Sequence, residues 1–452
     1  MATEWRRLQI RDLIERHLLA IGDGYRAKND ELGPTGLPFC RAGNVNEGFN
    51  FTDADRFPFE GLARVGEKVS EPGDVVFTSK GTVGRFAFVG DQTERFVYSP
   101  QLCYWRSLDP EVIDPRYLYY WMTGPDFRSQ FGAVAGSTDM AEYVSLSDQR
   151  RMWLRIPDIH TQRAIAHILG TLDDKIELNR RMSETLEAIA RALFKSWFVD
   201  FDPVRAKSEG RDPGLPQPLA DLFPDSFEDS QLGHVPQGWS TQRLGDLLDL
   251  DKGLSYKGQF LGETGMPMVN LGCFLGHGRF AELAMKRYSG EFKDRHVVRP
   301  RDLVLANTDL TQKREVIGSP ALIPAREGLD KLLFTHHVFA ARFRAGKEPW
   351  KLFVYLSLLQ EEFRERASGF ATGTTVLALP RDAVLDLQFA APPLALIGAF
   401  DSIVVPLIER QWRAAGESHT VTVLRDTLLP NLISGELHVC AAERGEDSRD
   451  EV

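Results

Sequence analysis

Cysteine is scarce in this chain and never closely spaced. Cys40, Cys103, Cys273 and Cys440 lie far apart among 452 residues, with no CxxC pair. Neither a zinc site nor a disulfide framework is signalled, and a cytoplasmic location is expected. Long hydrophobic runs are lacking too. The most apolar stretch, 388–408, is interrupted by Pro392, Pro393, Pro406 and Asp401, which makes it a poor membrane span. The N-terminal segment is polar and charged from Glu4 onward, so no signal peptide is expected. Catalytic motifs are missing as well. There is no GxxxxGK(S/T) loop and no HExxH, and Gly276-His-Gly278 lacks the third glycine of a dinucleotide fingerprint. Asp202-Pro203-Val204 lacks the second proline and the aromatic residue with which a DNA amino-methyltransferase holds its target amine. His336 and His337 fall in an apparent strand, 332–341, where neighbours point to opposite faces and cannot easily share a metal. No catalytic residue, metal or cofactor is therefore expected on this chain.

An excess of positive charge is also missing. With 54 Lys+Arg against 64 Asp+Glu the net charge is −10, which taken alone counts against nucleic acid as a partner. The distribution changes that reading. Residues 1–150 carry 17 bases and 22 acids, whereas residues 239–380 carry 20 bases and 16 acids. Eight of the ten excess negatives sit in a Pro/Gly-rich linker, 200–238, and in the tail, 441–452. The second half is compatible with a phosphate-facing surface, and the first would need local clustering.

What is present is ordinary soluble composition, 43% hydrophobic and 26% charged, long enough for two to four domains. It is also repeated. Trp5-Arg-Arg-Leu is echoed by Trp239-Ser-Thr-Gln-Arg-Leu, and Gly36-Leu-Pro-Phe by Gly265-Met-Pro-Met. Pro72-Gly-Asp-Val-Val-Phe matches Pro300-Arg-Asp-Leu-Val-Leu, and Gly136-Ser-Thr matches Gly373-Thr-Thr, always in the same order. Four collinear matches point to a duplication. Each copy reads as α+β, with short apolar runs (74–78, 84–89, 302–306) and helical patches (115–123, 350–366). The expected boundaries are a first domain at 1–155, a long helix at 156–199, the linker at 200–238, a second domain at 239–391, a second helix with its terminal segment at 392–440, and the acidic tail.

The first long helix, from about Thr161 to Phe198, contains no proline. A heptad seam places Ile165, Leu172, Asn179, Leu186 and Leu193 in one row and Ile168, Met182 and Ile189 in the next, with Lys175 and Ser196 as polar members. A buried Asn at such a position favours one register. The second helix offers Leu407, Ala414, Val421 and Leu428 with Leu424, is punctuated at Pro406, and is expected to stop at Pro430. Two such helices could lie antiparallel, with two similar domains held apart.

Candidate readers of nucleic acid occupy matching places in the repeat. Lys80, Thr82 and Arg85 follow a strand in the first copy, and Asn307, Thr311, Gln312, Lys313 and Arg314 follow its counterpart. Amide, hydroxyl and cationic ends of this kind can bond base edges. Ser137, Thr138, Thr374 and Thr375 sit in glycine-bearing turns that suit phosphate. Either set has a plain alternative as solvated loops and turns.

Three stretches carry a family resemblance. Leu172-Asp-Asp-Lys-Ile-Glu-Leu-Asn-Arg-Arg181 with Leu186-Glu-Ala-Ile-Ala-Arg-Ala-Leu-Phe-Lys-Ser-Trp-Phe-Val-Asp-Phe-Asp-Pro-Val-Arg-Ala-Lys207 resembles the central conserved region of Type I restriction-modification specificity subunits (HsdS). Leu232-Gly-His-Val-Pro-Gln-Gly-Trp239 resembles the entry to that family's second recognition domain, and Arg425-Asp-Thr-Leu-Leu-Pro-Asn-Leu-Ile-Ser-Gly-Glu-Leu437 its C-terminal end. Asp158-Ile-His-Thr-Gln162 departs from the usual double-proline approach, which Pro392-Pro393 retains. The resemblance implies two target-recognition domains, each reading half of a bipartite asymmetric DNA site. It implies an antiparallel coiled coil that sets the gap and docks two methyltransferase subunits, which carry S-adenosylmethionine, and allows restriction/translocase subunits to join. A coiled-coil protein scaffold without DNA specificity and a stand-alone DNA-modifying enzyme are the rival readings.

Overall fold

The computed structural model describes residues 5–439, except 47, 81–82, 136–143, 277, 310–313, 315, 327 and 374–375. The chain divides into two units, residues 1–177 with 419–452 and residues 178–418.

In the first unit an antiparallel sheet is built from β1 (Leu19–Asp23), β2 (Val75–Thr78), β3 (Phe86–Phe88) and β4 (Leu102–Ser107), in the order β1-β4-β2-β3. Beside it, Leu37–Cys40 pairs antiparallel with Arg56–Phe57 and parallel with Val97–Tyr98. Arg6–Gln9 closes on Trp153–Ile156, so the start and end of this α+β body are zipped together. The second unit uses the same plan. Strands β5 (Leu248–Lys252), β6 (Leu303–Ala306), β7 (Pro320–Leu322) and β8 (Val338–Phe343) take the matching order β5-β8-β6-β7. Met266–Val269 pairs antiparallel with Lys286–Tyr288 and parallel with Leu332–Phe334, and Ser240–Arg243 closes on Gln388–Ala391.

Local chemistry repeats with the topology. Gly36 (φ +117°) and Gly265 (φ +104°) turn into the small sheets, where a Cβ would stand 2.0 Å from the Phe57 carbonyl oxygen and 2.4 Å from that of Tyr288. Only glycine fits both the backbone angle and the space. Each large sheet carries the same Arg–Asp pair across neighbouring strands. Arg106 lies 2.6 Å from Asp74 in the first unit, and Arg342 lies 3.7 Å from Asp302 in the second. Gly73 (φ +93°) before Asp74 has Arg301 (φ +68°) as its counterpart, a left-handed residue where the first copy kept glycine.

Two long helices follow the sheets, α1 (Ile159–Phe198) and α2 (Leu394–Ser434). At about 1.5 Å per residue each is roughly 60 Å long. Asp158 caps α1, accepting bonds from the Thr161 backbone N–H at 3.0 Å and its hydroxyl at 2.7 Å. Burial alone would raise the Asp158 pKa, but the bonds from Thr161 outweigh it and lower the value. The capping residue thus fills the place where α2 has Pro392-Pro393.

Each unit holds one end of both helices, running in opposite directions. In the first unit Ile165 and Leu169 of α1 share a core with Leu432 and Ile433 of α2 and with Ile10, Trp105 and Trp121. Arg425 of α2 bonds Asp173 of α1 at 2.7 Å, and the Tyr120 hydroxyl donates to the same carboxylate at 2.6 Å. In the second unit Phe194, Trp197 and Phe198 of α1 surround Phe400 of α2, with ring centroids 5.0–6.0 Å apart. Asn179, 1% exposed, donates to Glu417 at 3.0 Å.

The heptad phase differs from the sequence reading. Ile165, Leu172, Asn179, Leu186 and Leu193 do face inward, but their companions lie four residues on, at Leu169, Ile176, Ser183, Ala190 and Trp197. Ile189 is 43% exposed while Ala190 is 3% exposed. In α2 the companions of Leu407, Ala414, Val421 and Leu428 are Gln411, Ser418, Arg425 and Leu432, and Leu424 is 47% exposed. An apolar row with a seven-residue repeat accepts a second row three or four residues later. Both rows of α1 contain apolar residues, so periodicity alone could not choose.

Helix α2 also runs through Pro406 and Pro430 instead of stopping at the latter. Pro406 lies on the exposed face, and Ser402, whose carbonyl loses its donor, is exposed as well. The linker is laid onto the second unit: Val204 and Phe223 join its main core, and Leu215, Leu219, Leu222 and Phe227 pack against it. The helical patch at 350–366 is two helices, Lys351–Leu358 and Glu361–Phe370.

Candidate nucleic-acid interface

The sequence-selected residues lie on the β2–β3 and β6–β7 connections, which occupy the same place in the two sheets. Register fixes their correspondence: Val75 faces Phe88, and Leu303 faces Leu322. Gly84 therefore matches Gly318, both with positive φ, and the second connection is six residues longer. Arg314 lies within that extra length and is not the counterpart of Arg85. Thr82, Thr311, Gln312 and Lys313 fall outside the described residues, as do Ser137, Thr138, Thr374 and Thr375.

Arg85 and Asn307 are occupied inside the fold. The Arg85 backbone N–H donates to the Thr78 hydroxyl at 3.0 Å, and its guanidinium to the Ala42 and Val45 carbonyls at 3.4 and 3.3 Å. Asn307 is 3% exposed, and its side-chain amide donates to the His336 carbonyl at 3.1 Å. A buried amide already bonded to backbone has the character of a positioning group. Lys80 is half-buried. Arg314, left-handed at φ +57°, donates to the Ser368 carbonyl at 2.8 Å and hydroxyl at 3.1 Å. It lines a cleft of about 980 Å³ with Arg191, Lys195, Gln360, Glu361 and Arg364. Arg191 is ion-paired with Glu187 and Lys195 with Asp200.

Beside its own connection, each unit places a tight turn that sequence reasoning missed. In the first unit it is Ser99-Pro100-Gln101, leading into β4, and in the second Thr335-His336-His337, leading into β8. The apparent strand 332–341 is thus broken at the two histidines. Their rings lie 3.9 Å apart at 39°, on the same side, not on opposite faces. The Thr308 hydroxyl bonds the His337 Nδ1 at 2.9 Å. Burial, then the neighbouring charges of His336 and Lys252, hold His337 below the usual histidine range. The ring is therefore neutral near pH 7, with one donor and one acceptor nitrogen. The signal that could have revealed the turn was the alignment of the repeat itself, carried past Tyr98 and Phe334.

Cys40, Cys103 and Cys273 are buried, and burial pushes the Cys273 thiol up to about 11. Among the described residues no group of three or more His, Cys, Asp or Glu side chains could hold a metal ion. No described helix is long and apolar enough to cross a membrane.

With this duplicated geometry in view, the comparisons are specific. Residues 3–188, the first copy and most of α1, match the family model of the Type I restriction modification DNA specificity domain. The chain is similar to the specificity subunit of the Type I restriction enzyme HindI from Haemophilus influenzae, at 26% identity over 433 residues, covering 82% of this chain and 88% of the relative. It is also similar to the MjaIX specificity subunit of Methanocaldococcus jannaschii, at 22% identity, covering 82% and 79%. In fold it resembles the crystal structure of the Type I restriction-modification S subunit of M. genitalium, with a TM-score of 0.57 and 16% identity over 95% of this chain and 96% of that one. The second copy of the plan, with the same order of strands in its large sheet, lies beyond the matched residues.

Proposed function

We propose that this chain is the non-catalytic DNA specificity subunit of a Type I restriction-modification complex, with one recognition domain for each half of a bipartite, asymmetric site. The observation that carries this reading is the repeat. One α+β plan occurs twice, and each copy holds opposite ends of the same two antiparallel helices. A duplex presents groove surfaces that recur about every 34 Å, so a twice-used reader on a helical spacer suits a split site. On this reading α1 and α2 set the gap and dock two methyltransferase subunits. Those subunits, not this chain, bind S-adenosylmethionine and methylate the DNA, and restriction/translocase subunits join the same assembly.

The test is methylation mapping of the source genome with and without this gene, followed by footprinting of the assembled complex. A bipartite motif whose methylation disappears with the gene is the expected result. Unchanged methylation together with no protected site would leave a protein scaffold as the better description. Adding one heptad to both helices at the same level lengthens each by about 10 Å. The recognised gap should then grow by about three base pairs with both half-sites unchanged.

A further inference from the structure

The two units share one backbone device at the turn before β4 and β8, and they differ there in every side chain at the tip. In the first unit Ser99 N–H bonds the Cys40 carbonyl (3.0 Å), Leu102 N–H the Ser99 carbonyl (3.0 Å), and Ser79 N–H the Gln101 carbonyl (2.8 Å). In the second, Thr335 N–H bonds Val269 (2.9 Å), Val338 N–H bonds Thr335 (2.9 Å), and Asn307 N–H bonds His337 (3.0 Å). Gly24 and Gly253 back these turns, where a Cβ would come within 1.9 Å of the Ser99 oxygen and 2.3 Å of the Thr335 oxygen. Yet the tips read Pro100-Gln101 in one copy and His336-His337 in the other, beside Ser79 and Asn307 respectively. A scaffold fixed by backbone bonds and glycine lets tip chemistry change without changing the fold.

The tip groups have the form of readers. Thr308 fixes one edge of the His337 ring, and its Nε2 has no partner among the described residues. The His336 ring lies tilted against it, with a buried Nδ1 that likewise lacks a partner. Tyr256 stands 6.3 Å from the His336 ring, with Lys286 5.6 Å over its own face. In the first unit the Gln101 side-chain Oε1 accepts from Ala42 N–H at 3.2 Å, leaving the side-chain NH2 without a partner among the described residues. Held imidazole and amide edges beside cations match what base-edge recognition requires, namely orientation first and hydrogen bonds second.

We infer that the His336-His337 turn contacts a base pair in the half-site of the second domain, and that Gln101 contacts one in the half-site of the first. Asn307 and Thr308 are positioning residues for the histidine pair. This inference rests on the DNA-reading function proposed above, and the experiment separates the two.

The full chain is co-expressed with its methyltransferase subunits in a methylation-free host, and the methylated motif is mapped. If the wild-type complex yields no bipartite motif, the functional reading fails. Given that motif, the double variant His336→Pro/His337→Gln, which copies the first unit, should change the accepted base at one or two positions of one half-site. Gln101→Ala should lower discrimination roughly tenfold or more at a position in the other half-site. The gap and the untouched half-site should stay constant in both. An unchanged motif, or equal weakening on all sequences, overturns the inference. Should the double variant fail to assemble, His337→Gln alone gives the same readout, because its amide can still bond Thr308.

Discussion

The repeated Arg–Asp pair offers an internally controlled test of how burial sets the worth of an ion pair. In the first unit Asp74 is fully buried and Arg106 is 12% exposed. The carboxylate receives Arg106 Nε at 2.6 Å and a second guanidinium N–H at 2.8 Å, the Tyr98 hydroxyl at 2.5 Å and the Glu71 N–H at 2.8 Å. Replacing Arg106 by Met leaves the carboxylate in the interior with two neutral donors. Loss of one partner of a buried pair costs about 3–5 kcal/mol, because the remaining charge is stranded. In the second unit Arg342 is 31% and Asp302 25% exposed, and Lys351 stands 3.8 Å from the same carboxylate. There Arg342→Met leaves a neighbouring cation and access to water, so the cost should be about 1 kcal/mol. For a unit of roughly two hundred residues these losses correspond to falls in Tm of about 6–20 °C and about 2–4 °C. Thermal unfolding followed by circular dichroism, with each unit's transition resolved by calorimetry, measures both. Adding Asp74→Asn to Arg106→Met should recover part of the first loss, since it removes the stranded charge. Equal losses from the two arginine variants, or no recovery in the double variant, would refute the reasoning from burial.

Three further outcomes follow from the same geometry. Gly36→Ala and Gly265→Ala should each lower stability by about 2 kcal/mol or more in denaturant titration, because strain and overlap with a carbonyl oxygen add. In α1, Ala190→Asp should cost more than about 3 kcal/mol and Ile189→Asp less than about 0.5 kcal/mol, and a reversed ranking would restore the other heptad phase. Burial pushes the Asp401 carboxyl, whose Oδ1 lacks a partner, up to about 6. A raised carboxyl favours the folded state when protonated, so its contribution is present below the ordinary value and lost as pH rises through 6. Asp401→Asn should therefore stabilise the second unit at pH 8, on the order of 1 kcal/mol after allowing for partial exposure, with the gain fading towards pH 5. A gain independent of pH would assign the effect to something other than this carboxyl.

Much of the architecture was legible because it was written twice. Trp5 and Trp239, Gly36 and Gly265, and Asp74 and Asp302 mark equivalent backbone positions, and motifs held by steric need survive divergence. The helices were legible from an unbroken seven-residue row. Their second row was not, since apolar residues occupy both alternatives and only packing against Phe400, Leu432 and their neighbours selects one. Pro430 misled because propensity is local, whereas Leu432 and Ile433 are buried 1% and 0% exposed in the first unit's core, which holds the helix through the proline. The candidate contact residues were the least legible part. Arg85 and Asn307 have base-contacting chemistry, but hydrogen bonds to their own chain use it. His336 and His337 looked like members of a strand because a tight turn between two apolar strands leaves no glycine or proline signal here.

Duplication also resolves the tension between an acidic chain and an anionic partner. A reader that gripped DNA mainly through phosphates would need strong net positive charge in both copies, which residues 1–150, with 17 bases and 22 acids, do not have. A reader that relies on oriented polar edges needs a rigid turn more than it needs cations, and both copies have that turn. Gly24 and Gly253 would not admit a side chain, and the surrounding backbone bonds repeat to within about 0.2 Å. The tips can therefore diverge while the sheets beneath them stay the same. On the function proposed above, the grip that the two units lack comes from the assembly, so affinity for non-specific DNA should rise far more than sequence discrimination when methyltransferase subunits bind. Measuring both quantities across a salt series, for the chain alone and for the complex, tests this division of labour. A chain that binds alone as tightly as the complex, with the same salt slope, would show that the phosphate contacts are its own.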